Sequence, residues 1–158
     1  MASAFSAASL SAAGDTPITW QITGGGLIAG VAFAIKSLRP SVKVYGVQAA
    51  GAPSMFKSIK DGQIGTLDSV STIADGIAVK RPGDLTYELV SKYVDDIATV
   101  TEDEICAAIL KLIEKQKMIA EGAGAVSVAA AMFNKFPIHG KKVVSVISGG
   151  NIDVTSLS

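Results

Sequence analysis

The residues best placed to do chemistry are Thr23, Gly24, Gly25 and Gly26, which follow the apolar, β-branched run ITWQI and lead straight into LIAGVAFAIKSL. With no side chains at 24–26, several backbone N–H groups can approach one anion, and a helix beginning near Leu27 adds the positive end of its dipole. The ligand this suits is a phosphate; on spacing alone, a tight strand-to-helix turn that binds nothing stays open. Gly24, Gly26 and Gly30 also approximate a dinucleotide fingerprint, which needs an acidic residue about 20 positions on to hold a ribose. Gln48, Ala49 and Ala50 stand there instead, and the third glycine is one place late, so a nicotinamide dinucleotide is disfavoured. A second glycine turn, Ser148-Gly149-Gly150-Asn151, follows the apolar run KVVSVI. As a residue by itself, Ser148 reads most simply as the cap of a strand end.

The elements that must position these turns are legible from periodicity. A strand over 18–23, a helix ended by Pro40 and a strand over 43–48 make a parallel crossover unit, so the fold class is α/β, a parallel sheet with flanking helices. A short helix over 54–60 and glycine-punctuated turns up to Gly83 follow. Asp84 offers an N-cap to LTYELVSKYV, residues 97–100 read as a strand, and Thr101 with Glu104 forms a capping box for a helix running to about Lys117. A small-residue helix from near Gly122 runs toward Pro137 with Lys135 in its last turn, and residues 142–147 read as a buried strand. In open parallel sheets ligands bind beyond the C-terminal strand ends, which is where both glycine turns fall.

The remaining reactive side chains have ordinary readings. Cys106 cannot form an internal disulfide and is expected as a buried structural thiol, in keeping with a reducing compartment. His139 has no partner at metal-ligand spacing and reads as an exposed turn residue, and Lys141-Lys142 as a solvated strand start. Fourteen basic side chains balance fourteen acidic ones, which argues against nucleic acid or an anionic membrane as partner. No apolar run approaches the roughly 20 residues of a membrane span, so a soluble, cytoplasmic protein is expected. Residues 1–16, almost all Ala and Ser, lack the basic region of a secretory signal and read as a poorly ordered leader; residues 17–158 form the domain.

TGGGLIAGVAFAIK resembles the phosphate loop and following helix of the fold-type II pyridoxal-phosphate enzymes, whose usual form has four glycines before the Leu. KVYGVQ, TIADGIAVKRPGDLTYELVSKYVDDI, VTEDEI, EGAGAVSVAAA and SVISGGNID follow in the order and at roughly the spacings of the threonine ammonia-lyases that lack a regulatory domain. The resemblance covers residues 22–155 and implies the C-terminal part of a pyridoxal 5'-phosphate domain. It implies backbone amides of Thr23, Gly24, Gly25, Gly26 and Leu27 on the cofactor phosphate, with Thr23 in place of a glycine. Ser148 would set its hydroxyl against the pyridine nitrogen, leaving that nitrogen largely unprotonated and suiting β-elimination. Glu121 would face the same side and help fix the ring. Serine racemase relatives carry an acidic metal ligand near the end of the second strand, whereas Gln48 stands here, so no divalent metal is expected.

The family's catalytic lysine lies in a Ser-Phe-Lys-x-Arg-Gly segment well before the phosphate loop, and the twenty-three residues preceding the glycines here contain no lysine. Ser54-Met55-Phe56-Lys57 is superficially similar but follows the second strand and lacks the Arg-Gly continuation, so Lys57 reads as a solvated helix lysine. No catalytic residue is therefore assigned. The expectation is a lyase module acting on L-threonine and L-serine, inactive alone, that associates as a homo-oligomer or with a complementing chain. The alternative is a non-catalytic fragment or subunit-interaction piece that retains the phosphate loop.

Overall fold

A computed structural model describes residues 16–150. The expected leader lies almost entirely outside the described residues, as do Asn151 and the end of the SGGNID string. Four parallel strands form one sheet in the order β3-β2-β1-β4: β1 (Ile18–Gln21), β2 (Val44–Ala49), β3 (Asp96–Val100) and β4 (Val144–Ser145). Ile18 pairs with Val44 on one side and Val144 on the other, and Ala49 pairs with Val100. Every residue of β1 and β2 is buried, as a parallel sheet covered on both faces requires.

Alternation along the strands divides the core in two. Ile18, Trp20, Ile22 and Val44 point into a cluster with α1 (Gly26–Leu38), α2 (Ser54–Asp61) and α3 (Asp84–Tyr93). Tyr45, Val47 and Ala49 point the other way, toward α4 (Glu102–Lys111) and α5 (Gly122–Met132). On that second face β1 presents two polar residues, Thr19 and Gln21, both buried. Gly46 in β2 is required by the first cluster, because a Cβ there would stand 2.4 Å from Ile22 Cδ1.

The ends of the elements differ from the sequence expectation in informative ways. Asp84 lies in the first turn of α3, not at its cap; Gly83 caps the helix in extended backbone while Asp84 pairs with Arg81 at 2.7 Å. The Thr101–Glu104 capping box is present, but regular α-helix stops at Lys111 and continues as a π-helical turn, Leu112–Gln116. Cys106 is exposed, which corrects its expected burial. The inward stripe of α4 is Ile105, Ala108 and Ile109, continued by Leu112 in the π-helical turn, and position 106 lies one step round from it, toward solvent. Helix α5 ends at Met132, so Lys135 lies beyond it and instead meets Glu104 at 2.7 Å. β4 is shorter and less buried than expected, half-buried at the edge of the described sheet, although Val146 N still donates to Thr19 O.

Asp95, ahead of β3, ties the opposite end of the sheet: it meets Lys36 at 2.7 Å and Lys43 at 2.8 Å, and accepts from Val44 N. Burial pushes its carboxyl up, but the hydrogen bonds from Lys36, Lys43 and the Val44 amide outweigh that and hold it below the ordinary value. A depressed folded value stabilises above the unfolded value and loses that contribution as pH falls through the folded one. Glu104, pushed up by burial and drawn down further by Lys135 and the Thr101 amide, acts in the same direction. The urea midpoint is therefore expected to drop as pH is lowered below about 4, and Asp95→Asn to flatten that dependence while lowering the neutral-pH midpoint.

Candidate functional site

Both glycine turns leave the same end of the sheet, since β1 and β4 are adjacent and parallel. The first runs from Ile22, whose amide still donates to Val47 O, into α1. Among the described residues the amides of residues 23–28 meet no acceptor, so this helix start offers a row of unpaired donors. Gly25 has φ +96°, and a Cβ on it would stand 2.7 Å from Met55 Cε and 2.9 Å from Thr86 Cβ. Cβ atoms built on Gly24 and Gly26 meet nothing within 4 Å. The loop is thus packed from below through Gly25 and open above through its neighbours. Unpaired amides beneath open space fit a phosphate.

A residue that sequence reasoning missed holds the loop in place. The Thr86 hydroxyl lies 2.6 Å from Gly24 O and 2.9 Å from Gly83 O, so its single proton is shared between two carbonyls. Nothing in the spacing of a threonine sixty-two positions downstream signals that contact. Thr23 is exposed at the entrance to the loop, and Leu27, in the first turn of α1, is also exposed.

The second turn is held by α5. Gly149 has φ +100°, and a Cβ there would stand 2.1 Å from Glu121 Oε1; a Cβ on Gly124 would stand 2.8 Å from Ser148 O. Glu121 N donates to Gly149 O at 3.4 Å, and Ser127 Oγ donates to Val146 O at 2.6 Å. The small residues of α5 therefore let the 148–150 backbone lie directly on the helix, with the Glu121 carboxylate against Gly149. Ser148 is half-buried, and its Oγ accepts a hydrogen bond from Gln21 Nε2 at the end of β1. Gln21 is the second residue missed. Its signal was a polar side chain within an otherwise apolar strand.

The structure thus brings the loop over 23–27, Ser148 and Glu121 to one end of the sheet. It keeps the other polar candidates apart. Lys57 is exposed on α2, and His139 and the 141–142 pair are exposed as expected. Gln48 is fully buried, and its Oε1 accepts from Phe56 N, bracing the first turn of α2.

The family model described as pyridoxal-phosphate dependent enzyme matches residues 15–149. The chain is 57% identical over 136 residues to an L-threonine ammonia-lyase of Thermotoga maritima, covering 86% of this chain and 34% of that protein. It is 49% identical over 139 residues to the catabolic L-threonine dehydratase of Escherichia coli K12, covering 87% and 42%. The solved structure of the processed form of threonine deaminase isoform 2 from Solanum lycopersicum superposes with a TM-score of 0.84 at 36% identity, over 90% of this chain and 40% of that one. The chain therefore spans about a third to two-fifths of the curated relatives it matches.

Proposed function

Because the chain belongs to the pyridoxal-phosphate dependent enzyme family, we propose that it is the cofactor-holding portion of an L-threonine ammonia-lyase. The observation that carries this reading is the convergence, at one sheet end, of unpaired loop amides, the Ser148 hydroxyl and the Glu121 carboxylate. Identity to ammonia-lyases and dehydratases named for L-threonine supports the substrate. The completed enzyme converts L-threonine to 2-oxobutanoate and ammonia, and L-serine to pyruvate. Its working form is a cytoplasmic homo-oligomer or an assembly with a complementing chain. Among the described residues no helix is long and apolar enough to cross a membrane.

Pyridoxal phosphate, when bound, supplies the electron sink that lets an amino acid lose a proton at its α-carbon and a leaving group at its β-carbon. Residues 23–27 bind the phosphate through backbone amides and the N-terminus of α1. Ser148 presents a neutral hydroxyl to the ring nitrogen and so orients the ring. Glu121 lies beside Gly149 and limits how far that turn moves. These 158 residues contain no Ser-Phe-Lys-x-Arg-Gly string, and the covalent anchor and general base come from a lysine outside the matched portion.

Intact mass after incubation with pyridoxal phosphate and borohydride, with peptide mapping, tests this division of labour. The expected result is saturable cofactor binding by fluorescence but no stoichiometric lysine adduct. A single full adduct on one lysine would show that the chain carries its own anchor and overturn the division. Absence of saturable binding would sink the cofactor-holding role and leave a non-catalytic interaction piece.

A further inference from the structure

Ser148 has one proton and two lone pairs, so whatever else touches its hydroxyl decides whether that proton is given to the ring or withheld from it. Gln21 is 6% exposed on the inner face of β1, and its Nε2 donates to Ser148 Oγ. That donation occupies an Oγ lone pair and leaves the hydroxyl proton free to point away from Gln21. The opposite amide orientation would take the Ser148 proton onto Oε1 and leave the NH2 group without its partner. In the donating orientation the cost is one buried acceptor, Gln21 Oε1, without a donor among the described residues. An unpaired buried carbonyl is better tolerated than unpaired N–H donors, so the donating orientation is favoured.

We infer that Gln21 is a positioning residue that fixes the Ser148 hydroxyl as a donor, and thereby keeps the nitrogen of a bound pyridine ring unprotonated. The inference rests on the cofactor reading of this site and deepens it. It places on β1 a control over the ring that acts only through Ser148. Glu121 on α5 is a titratable neighbour of the 148–150 turn, and it is common to every protein compared in the test.

The test uses the full chain and deoxypyridoxine phosphate, which keeps the ring nitrogen and phosphate but has no aldehyde and needs no lysine. Its ultraviolet spectrum, followed against pH, reports ring protonation in the bound state. In the unsubstituted chain the bound ring is expected to lose its proton at lower pH than the free probe. Gln21→Glu replaces the donor with an acceptor, turning the Ser148 proton away from the ring, and should raise the bound ring's apparent pKa by about one unit or more, part of it from the new charge itself. Gln21→Met, uncharged and of similar length, should move it the same way by less, since the released hydroxyl can then turn and accept. Thermal unfolding identifies any variant that fails to fold, and Gln21→Met carries the test if the buried glutamate does not. Probe binding with the same ring titration in all three proteins would overturn the inference and leave the cofactor reading standing. No saturable probe binding by the unsubstituted chain would overturn both.

Discussion

Gly25→Ala should destabilise the chain by about 2–4 kcal/mol and abolish measurable binding of deoxypyridoxine phosphate. Two costs add at this position. Gly25 sits at φ +96°, where an L side chain costs roughly 1–2 kcal/mol. Its added Cβ would also lie 2.7 Å from Met55 Cε and 2.9 Å from Thr86 Cβ. The methionine tip can yield, but Thr86 is held by its bond to Gly24 O, so the clash feeds back into the loop it supports. Gly24→Ala and Gly26→Ala make the informative contrast. Their Cβ atoms meet nothing, so denaturation should find the fold unharmed, and Gly26→Ala should gain up to about 1 kcal/mol as a better residue for the first helical turn. Both nevertheless fill the open space above the unpaired amides, and probe affinity should fall at least tenfold, which corresponds to about 1.4 kcal/mol. Equal binding by all four proteins would remove the phosphate from this loop.

The parts of this architecture carried by local chemistry were readable from the residues. The β-α-β unit at 18–49, the capping box at Thr101 and the glycine turns each depend on neighbours within a few positions, and each is present. Boundaries drifted where long-range partners decide them. Lys135 reads as a helix-terminal cation, yet its position follows from Glu104, thirty-one residues away, not from the dipole of α5. Cys106 departs from its expected burial because a helix that is apolar on more than one side does not announce which stripe meets the sheet; Leu110 is likewise exposed on α4. At the candidate site, the two glycine turns were legible because a turn after an apolar strand is a local pattern, whereas Ser148 by itself reads as a strand cap and is singled out only by the family resemblance. Gln21 and Thr86 were not, because their roles exist only once β1 lies beside β4 and α3 beneath the loop.

Gly124→Ala should separate the Ser148 turn from the fold that carries it. Helix α5 is nearly all small residues, and eight of its eleven are buried, so its low side-chain volume is a condition of how closely the 148–150 backbone approaches. An alanine Cβ at 124 would sit 2.8 Å from Ser148 O and 3.0 Å from Gly149 O, both backbone atoms that cannot rotate away. The helix is anchored more deeply than the turn, with Ala125, Val126 and Ala129 fully buried against the second core, whereas Ser148 is half-buried and Gly149 exposed. The turn is therefore the part that moves. Overpacking of this kind costs about 1–3 kcal/mol, partly offset by the better helix propensity of alanine, so a modest drop in thermal midpoint is expected. Binding should suffer more. A displaced Ser148 loses its bond from Gln21 and, on the proposed reading, its place at the ring nitrogen, so probe affinity should fall by tenfold or more while the residual bound probe titrates more like the free ring. Loss of stability with unchanged probe titration would mean that the turn and α5 shift together, and that Ser148 does not set the state of the ring.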